Sequence, residues 1–186
     1  MTHARLQASM IVGTMAAFIV MLAINEWLFT RLEFMPGINW IYIPAGMRLL
    51  STLLFGGAGA IGLLLVSWLA CFFYFFPDDL LRSFMGGIIA TAAPYMAYRI
   101  AQRVYGLHAS LANLSPRRLL VCVVGYSIAS PLLHHIWFAI QGDTDELLYS
   151  FAVMAIGDLS GTLIVIYTMK MLLSFVPAPR YAADKP

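Results

Sequence analysis

The sequence predicts an all-α polytopic membrane protein, a bundle of about six transmembrane helices with one short member and both termini cytoplasmic. Three observations predict it. The 186 residues are 61% hydrophobic and only 11% charged, with a mean hydropathy of +0.83. A soluble domain carries about 25% charged residues, so this chain cannot clothe a water-facing surface and its solvent is lipid. Apolar segments recur at 8–29, 44–55, 60–76, 80–101, 119–140 and 147–175. Lys and Arg collect in alternate connections between them.

The first segment follows "MTHARLQ", a basic start like that of a signal peptide. Its apolar run exceeds the ~7–15 residues of a signal-peptide core and no small-x-small site closes it, so it reads as a retained span. The second, 44–55, falls short of the ~20 residues a span needs, although Pro44 suits a first helical turn. It is a half-helix or re-entrant element covered by protein, or it extends back through "INWIYI" with Pro44 as a kink. "GGAG" at 56–59 breaks the chain before the third segment, and Pro94 and Pro131 are expected to kink the fourth and fifth. Residues 1–175 form one transmembrane domain. The polar, Pro-rich stretch 176–186 reads as a disordered tail.

With six crossings and a cytoplasmic N-terminus, the inner side holds Arg5, Arg99, Arg103, Arg117, Arg118, Lys170, Arg180 and Lys185. The outer side holds Arg31 and Arg82 beside the acidic "PDD" and "QGDTDE" loops. This asymmetry is the positive-inside pattern and supports an even number of crossings with both ends inside. Trp27, Trp40, Tyr42 and Trp137 are expected near the outer interface. A net charge of +2 gives no sign of a nucleic-acid partner. The basic cluster Arg99, Arg103, Arg117 and Arg118 is explained by orientation alone, or it is in addition a contact for anionic lipid or a partner. Cys71 and Cys122 lie in apolar runs and read as packing residues.

Ionisable residues inside spans usually face the bundle interior and mark a site. At ~1.5 Å per residue, Asp158 falls near the midplane, and Glu26, Arg48, His134 and His135 fall in the outer half. Together they make a candidate ligand site in an outward cavity. Two readings of Asp158 stay open: a ligand or proton acceptor, taking hydrogen bonds from an amine or hydroxyl, or a structural hydrogen-bond partner. Glu26 and Arg48 could instead form an ion pair at the interface. His134 and His135 point about 100° apart and cannot both face one pocket centre. No ligand set at metal spacing appears, and no Ser–His or paired-Asp arrangement suggests an enzyme; the cofactor is unknown. Gly157 and Gly161 flank Asp158 and, with Ser160, leave a bare patch of helix for close packing or a pocket wall.

Two stretches resemble the MASE1 integral-membrane sensor family. "IYIPAGMRLLSTLLFGGAGAIGLLL" resembles its early Pro-x-Gly helix, and "GDLSGTLIVI" the Gly-Asp-x-x-Gly motif of its last helix. "SPRRLLVCVVGYSIASPLL" fits the basic, then apolar, start of its penultimate region. The resemblance implies an input domain of bacterial signalling proteins, with Pro44, Gly46, Gly157, Asp158 and Gly161 as the family positions. The chain departs from the family in having six segments rather than about eight and no output module. The expectation is therefore a sensory or ligand-binding protein that signals through a separate kinase or cyclic-dinucleotide enzyme. The alternative is the substrate-binding membrane component of a vitamin-type importer, partnered by an ATPase module. Oligomeric state, a homo-oligomer included, stays open.

Overall fold

The computed structural model describes residues 3–107, 114–143 and 145–175. The expected tail at 176–186, with Arg180 and Lys185, lies outside the described residues. The architecture is all-helical apart from one small hairpin. In chain order it comprises α1 (His3–Phe29), a 3-10 turn (Thr30–Leu32), β1 (Glu33–Met35), β2 (Ile38–Asn39), α2 (Ile43–Phe55), α3 (Gly57–Ala70) continued by a π turn (Cys71–Phe75), α4 (Leu80–Tyr105), α5 (Pro116–Gln141) and α6 (Leu147–Ser174).

Large apolar side chains cover much of the described surface, while a number of polar ones are buried among the apolar core. Val12, Ile19, Ile61, Val124, Ile128, Ile136 and Ile156 are exposed, whereas Thr14, Asn25, Arg48, Ser51, Thr52, Ser130, Asp158 and Thr162 are buried. That arrangement is stable only where the surroundings are apolar, because a buried polar group is favourable only with partners inside. Four segments among the described residues are long and apolar enough to cross a bilayer: His3–Leu32, Gly57–Phe75, Pro116–Gln141 and Leu147–Ser174. Helix α4 is absent from this set. Its body is diluted by Ser83, Gly86, Gly87, Thr91 and Pro94, and Arg82, Arg99 and Arg103 bound it. Helix α2 has only 13 residues.

α2 is the central element. Ten of its residues, from Ile43 to Leu53, are buried, and it packs against α6, α1, α3 and α4. Its boundary settles the open reading of this segment. The helix starts at Ile43 with Pro44 in its first turn; it does not extend back into residues 38–42, which hold β2 and bends at Trp40 and Ile41. The break after it is a single residue, Gly56, at φ 55° and ψ −125°, a backbone state that only glycine adopts readily. Gly57 to Gly59 are helical, so the expected four-residue break shrinks to one. α3 then folds back against α2, with no room for a Cβ at Gly59 beside the Ser51 carbonyl.

The direction of each helix follows from its neighbours. Gly62 abuts Ile11 and Thr14, Leu63 and Val66 pack with Phe18, and Tyr74 bonds Glu26, so α3 runs parallel to α1. α4 returns: Trp68 stacks on Phe84 at 5.3 Å, the Thr52 hydroxyl donates to the Pro94 carbonyl at 3.1 Å, and Tyr98 meets Gly56. Both α4 and α5 continue through their internal prolines. The β1–β2 hairpin therefore shares one end of the bundle with Glu26, Tyr74, Asp79 and Asp143, termed the hairpin end. The helix ends carrying Arg5, Arg103 and Arg117 share the opposite end.

The hairpin continues inward as a strap, residues 36–42, laid along α6. Cβ atoms at Gly157 and Gly161 would overlap the Asn39 and Tyr42 carbonyl oxygens, and one at Gly46 would stand 2.6 Å from the Val165 Cβ. Replacing Gly157 or Gly161 by Ala should cost about 1–3 kcal/mol, since backbone rather than a flexible side chain must move. Gly125, with open space around its Cβ position, is the control. Thermal unfolding in detergent checks this: Gly157→Ala and Gly161→Ala should melt well below Gly125→Ala, and equal melting of all three would refute the strap contact.

Candidate functional site

The strap carries non-helical backbone into the helix bundle, where buried polar groups need protein partners. The Tyr42 N–H donates to the Gly157 carbonyl at 3.1 Å. The Ser160 hydroxyl donates to the Trp40 carbonyl at 3.2 Å. The Ile43 N–H donates to the buried Asn25 side-chain carbonyl at 3.0 Å, which caps the first turn of α2 from α1. Ile38 packs on Val153 and Met154. α2 thus begins part-way down the bundle, which is why it is short.

Beside the strap lies a cavity of about 50 Å³, walled by Gly37, Ile38 and Tyr42 of the strap, Arg48 of α2, Ser67 and Cys71 of the α3 stretch, Arg82 of α4, His134 and Trp137 of α5, and Met154 of α6. No acidic side chain is among its walls. Arg48 forms the inner wall and is 7% exposed. Its guanidinium lies 5.2 Å from the Phe18 and Tyr42 ring centroids. One terminal nitrogen donates to the Tyr42 hydroxyl at 3.3 Å, and its Nε meets no acceptor. Arg82 stands at the mouth against the Phe76 and Phe138 rings and pairs with the exposed Asp143 at 3.3 Å. The His134 Nδ1–H donates to the Ser130 carbonyl at 2.8 Å, since a carbonyl can only accept.

Of the residues expected to share one cavity, Arg48 and His134 do so. Asp158 is 1% exposed and is not among the walls of this cavity. Its neighbours are Ser130, Tyr126 and Arg48, and both carboxylate oxygens lack a hydrogen-bond partner. The reason is angular. Gly157 and Gly161 turn one face of α6 to the strap, and a side chain one residue on points about 100° away, toward α5. No N–O approach within 4.0 Å joins Arg48 to Asp158, nor Arg48 to Glu26. Glu26 instead accepts from the Tyr74 hydroxyl at 3.0 Å, so the expected Glu26–Arg48 ion pair is replaced by a contact between α1 and the π turn. His135 is a strut: Nδ1 bonds the Pro131 carbonyl and Nε2 the Ser150 hydroxyl, each at 2.8 Å.

Tyr42 is 5% exposed and belongs to the interior of the bundle, because the strap carries it inward, whereas Trp27 is 83% exposed. Arg99, Arg103, Arg117 and Arg118 are exposed at the opposite end. Arg99 lies against the Tyr95 ring and Arg118 against Tyr105. Arg117 also borders, with Lys170, an open apolar groove of about 570 Å³ between α5 and α6. Sequence reasoning missed Asn25, Tyr126 and Ser130. An Asn inside "MLAINEWLF" was the available signal for the first. Among the described residues no group of three His, Cys, Asp or Glu side chains is placed to hold a metal ion. No family model, curated protein or solved structure matches the chain.

Arg48 and Asp158 are coupled through a low-dielectric interior without touching. Removing either leaves a buried charge unbalanced. Arg48→Gln alone should cost about 3 kcal/mol, and the double variant with Asp158→Asn should cost less than the summed singles by about 1 kcal/mol. Chemical unfolding of the four proteins in one detergent measures this, and strict additivity would show that the two charges are independent.

Proposed function

We propose that the chain is a small-molecule-binding protein of sensory type in the bacterial inner membrane, crossing it six times with both ends in the cytoplasm. The strap and α2 together make the second crossing. All acidic residues among those described, Asp158 excepted, lie toward the hairpin end, and Arg5, Arg99, Arg103, Arg117, Arg118 and Lys170 lie toward the other. The positive-inside rule then puts the hairpin end outside the cell, and the Arg48 cavity faces outward.

The observation that carries the reading is Arg48. A buried guanidinium with an unpartnered nitrogen and no carboxylate within ion-pair distance is costly, and it borders a space that a ligand can enter. The cavity ends blind. Beneath it Leu49, Leu53, Ala93, Ala101 and Val123 form a packed core, which suits detection better than conduction. The resemblance to the MASE1 sensors fits the same reading, since its two motifs meet here: Gly46 rests on Val165 and Thr162, and Gly161 on Tyr42 and Ile43. The signal would leave through a separate partner docked at the basic end, a kinase or a cyclic-dinucleotide enzyme.

Mass spectrometry of small molecules released from the purified protein tests this. The wild type should release one compound that Arg48→Gln does not retain, and a signalling enzyme should co-elute. A co-eluting transport ATPase would shift the reading to an importer component. Orientation is checked by impermeant thiol reagents: Pro36→Cys should label in intact cells and Arg117→Cys only after permeabilisation. The reverse pattern would turn the cavity inward and end the proposal.

A further inference from the structure

We infer that the Arg48 cavity takes a small carboxylate, gripped at its anionic end by the Arg48 guanidinium. The inference rests on the ligand-binding reading above and names the ligand class. The walls present two guanidiniums, an imidazole and a phenol, and no acid, so a cationic ligand would meet only like charge or neutral groups. Arg48 is held as a flat fork between the Phe18 and Tyr42 rings. A rigid planar fork matches a carboxylate in two parallel hydrogen bonds, where a spherical anion satisfies only part of it. The Nε is buried without an acceptor, and the one side-chain bond of the guanidinium is that to the Tyr42 hydroxyl, so the fork enters the cavity wall with most of its donor capacity unspent.

Size narrows the class. A water needs roughly 10–15 Å³ of such space, so a cavity of about 50 Å³ admits about four heavy atoms. The rest of the wall, Cys71, Phe75 and Met154, is apolar and suits a methyl or short alkyl end. Acetate meets both conditions. Asp158 stands behind Arg48 as a competing negative charge that walls none of the space. Its neutralisation should strengthen the attraction of Arg48 for a ligand, which is the opposite of what a ligand-holding Asp158 would do.

The test is binding of radiolabelled acetate to the full chain in lipid nanodiscs. Binding should saturate, fall about tenfold or more in Arg48→Gln, and hold or tighten in Asp158→Asn. Arg82→Gln, at the mouth, should lose a smaller factor and serves if Arg48→Gln does not fold. Acetamide, of the same shape but uncharged, should not compete. Undiminished binding in both arginine variants, or competition by acetamide or chloride equal to that of acetate itself, would overturn the assignment. Loss of binding in Asp158→Asn would also overturn it. If acetate does not bind but acetamide or methylammonium raises the melting temperature through Arg48, the carboxylate class fails and the ligand-binding reading stands. If none of the three does, both fall.

Discussion

The contact on which the rest of the molecule depends is the bare face of α6 at Gly157 and Gly161, against which the strap lies backbone to backbone. Extended chain is normally barred from the depth of a bilayer because its N–H and C=O groups find no partner in hydrocarbon. Here three polar groups at residues 40–43 are met by Gly157, Ser160 and Asn25. Any side chain at the two glycines would push it off α6. With the strap in place, α2 starts inside the bundle rather than at its surface. Its fourth residue after the proline is Arg48, which is thereby set deep in the interior with an open space on its hairpin side. A continuous helix over the same residues would have presented a different set of side chains to that space.

The interior this creates is unusually polar for its setting. Tyr126, Ser127, Ser51, Ser67 and Thr162 carry buried side-chain oxygens without a hydrogen-bond partner, as do Asp158 and the Arg48 Nε. Hydroxyls on helices ordinarily return to their own carbonyls, as Thr14, Thr91 and Ser174 do. These unmet groups lie on α2, α3, α5 and α6. A core of this kind gives up stability relative to an apolar one. Its cost makes sense where charge must be kept available inside the membrane.

Much of the fold was legible in the sequence, because lipid-facing helices are a compositional signal and loop charges report their ends. The long helices and the short α2 with Pro44 in its first turn follow from those signals alone. The strap did not, since "INWIYI" is as apolar as a helix, and apolarity does not separate helix from buried extended chain. The Pro36–Gly37 pair was the turn signal that could have placed the hairpin. At the site, depth was legible and azimuth was not. Of the five ionisable residues only Arg48 and His134 wall one cavity, since counting along a helix says nothing of which neighbour it faces. Only the partner of the glycine face fixes the rotation of α6, and with it the direction of Asp158.

That rotation bears on why an acid and an arginine are both buried here without forming a close pair. Two such groups in direct contact would saturate one another, and the guanidinium would have little left for anything entering the cavity. Set one helix face apart, Asp158 still offsets the field of Arg48 and lowers the cost of burying it, while the fork keeps a free donor. The same separation explains the local arrangement of α6: Gly157 and Gly161 must face the strap, so the residue after Gly157 is turned toward Tyr126 and Ser130, behind the arginine rather than in front of it. The Asp158 carboxylate therefore lies behind Arg48, and the arginine is the residue that walls the cavity.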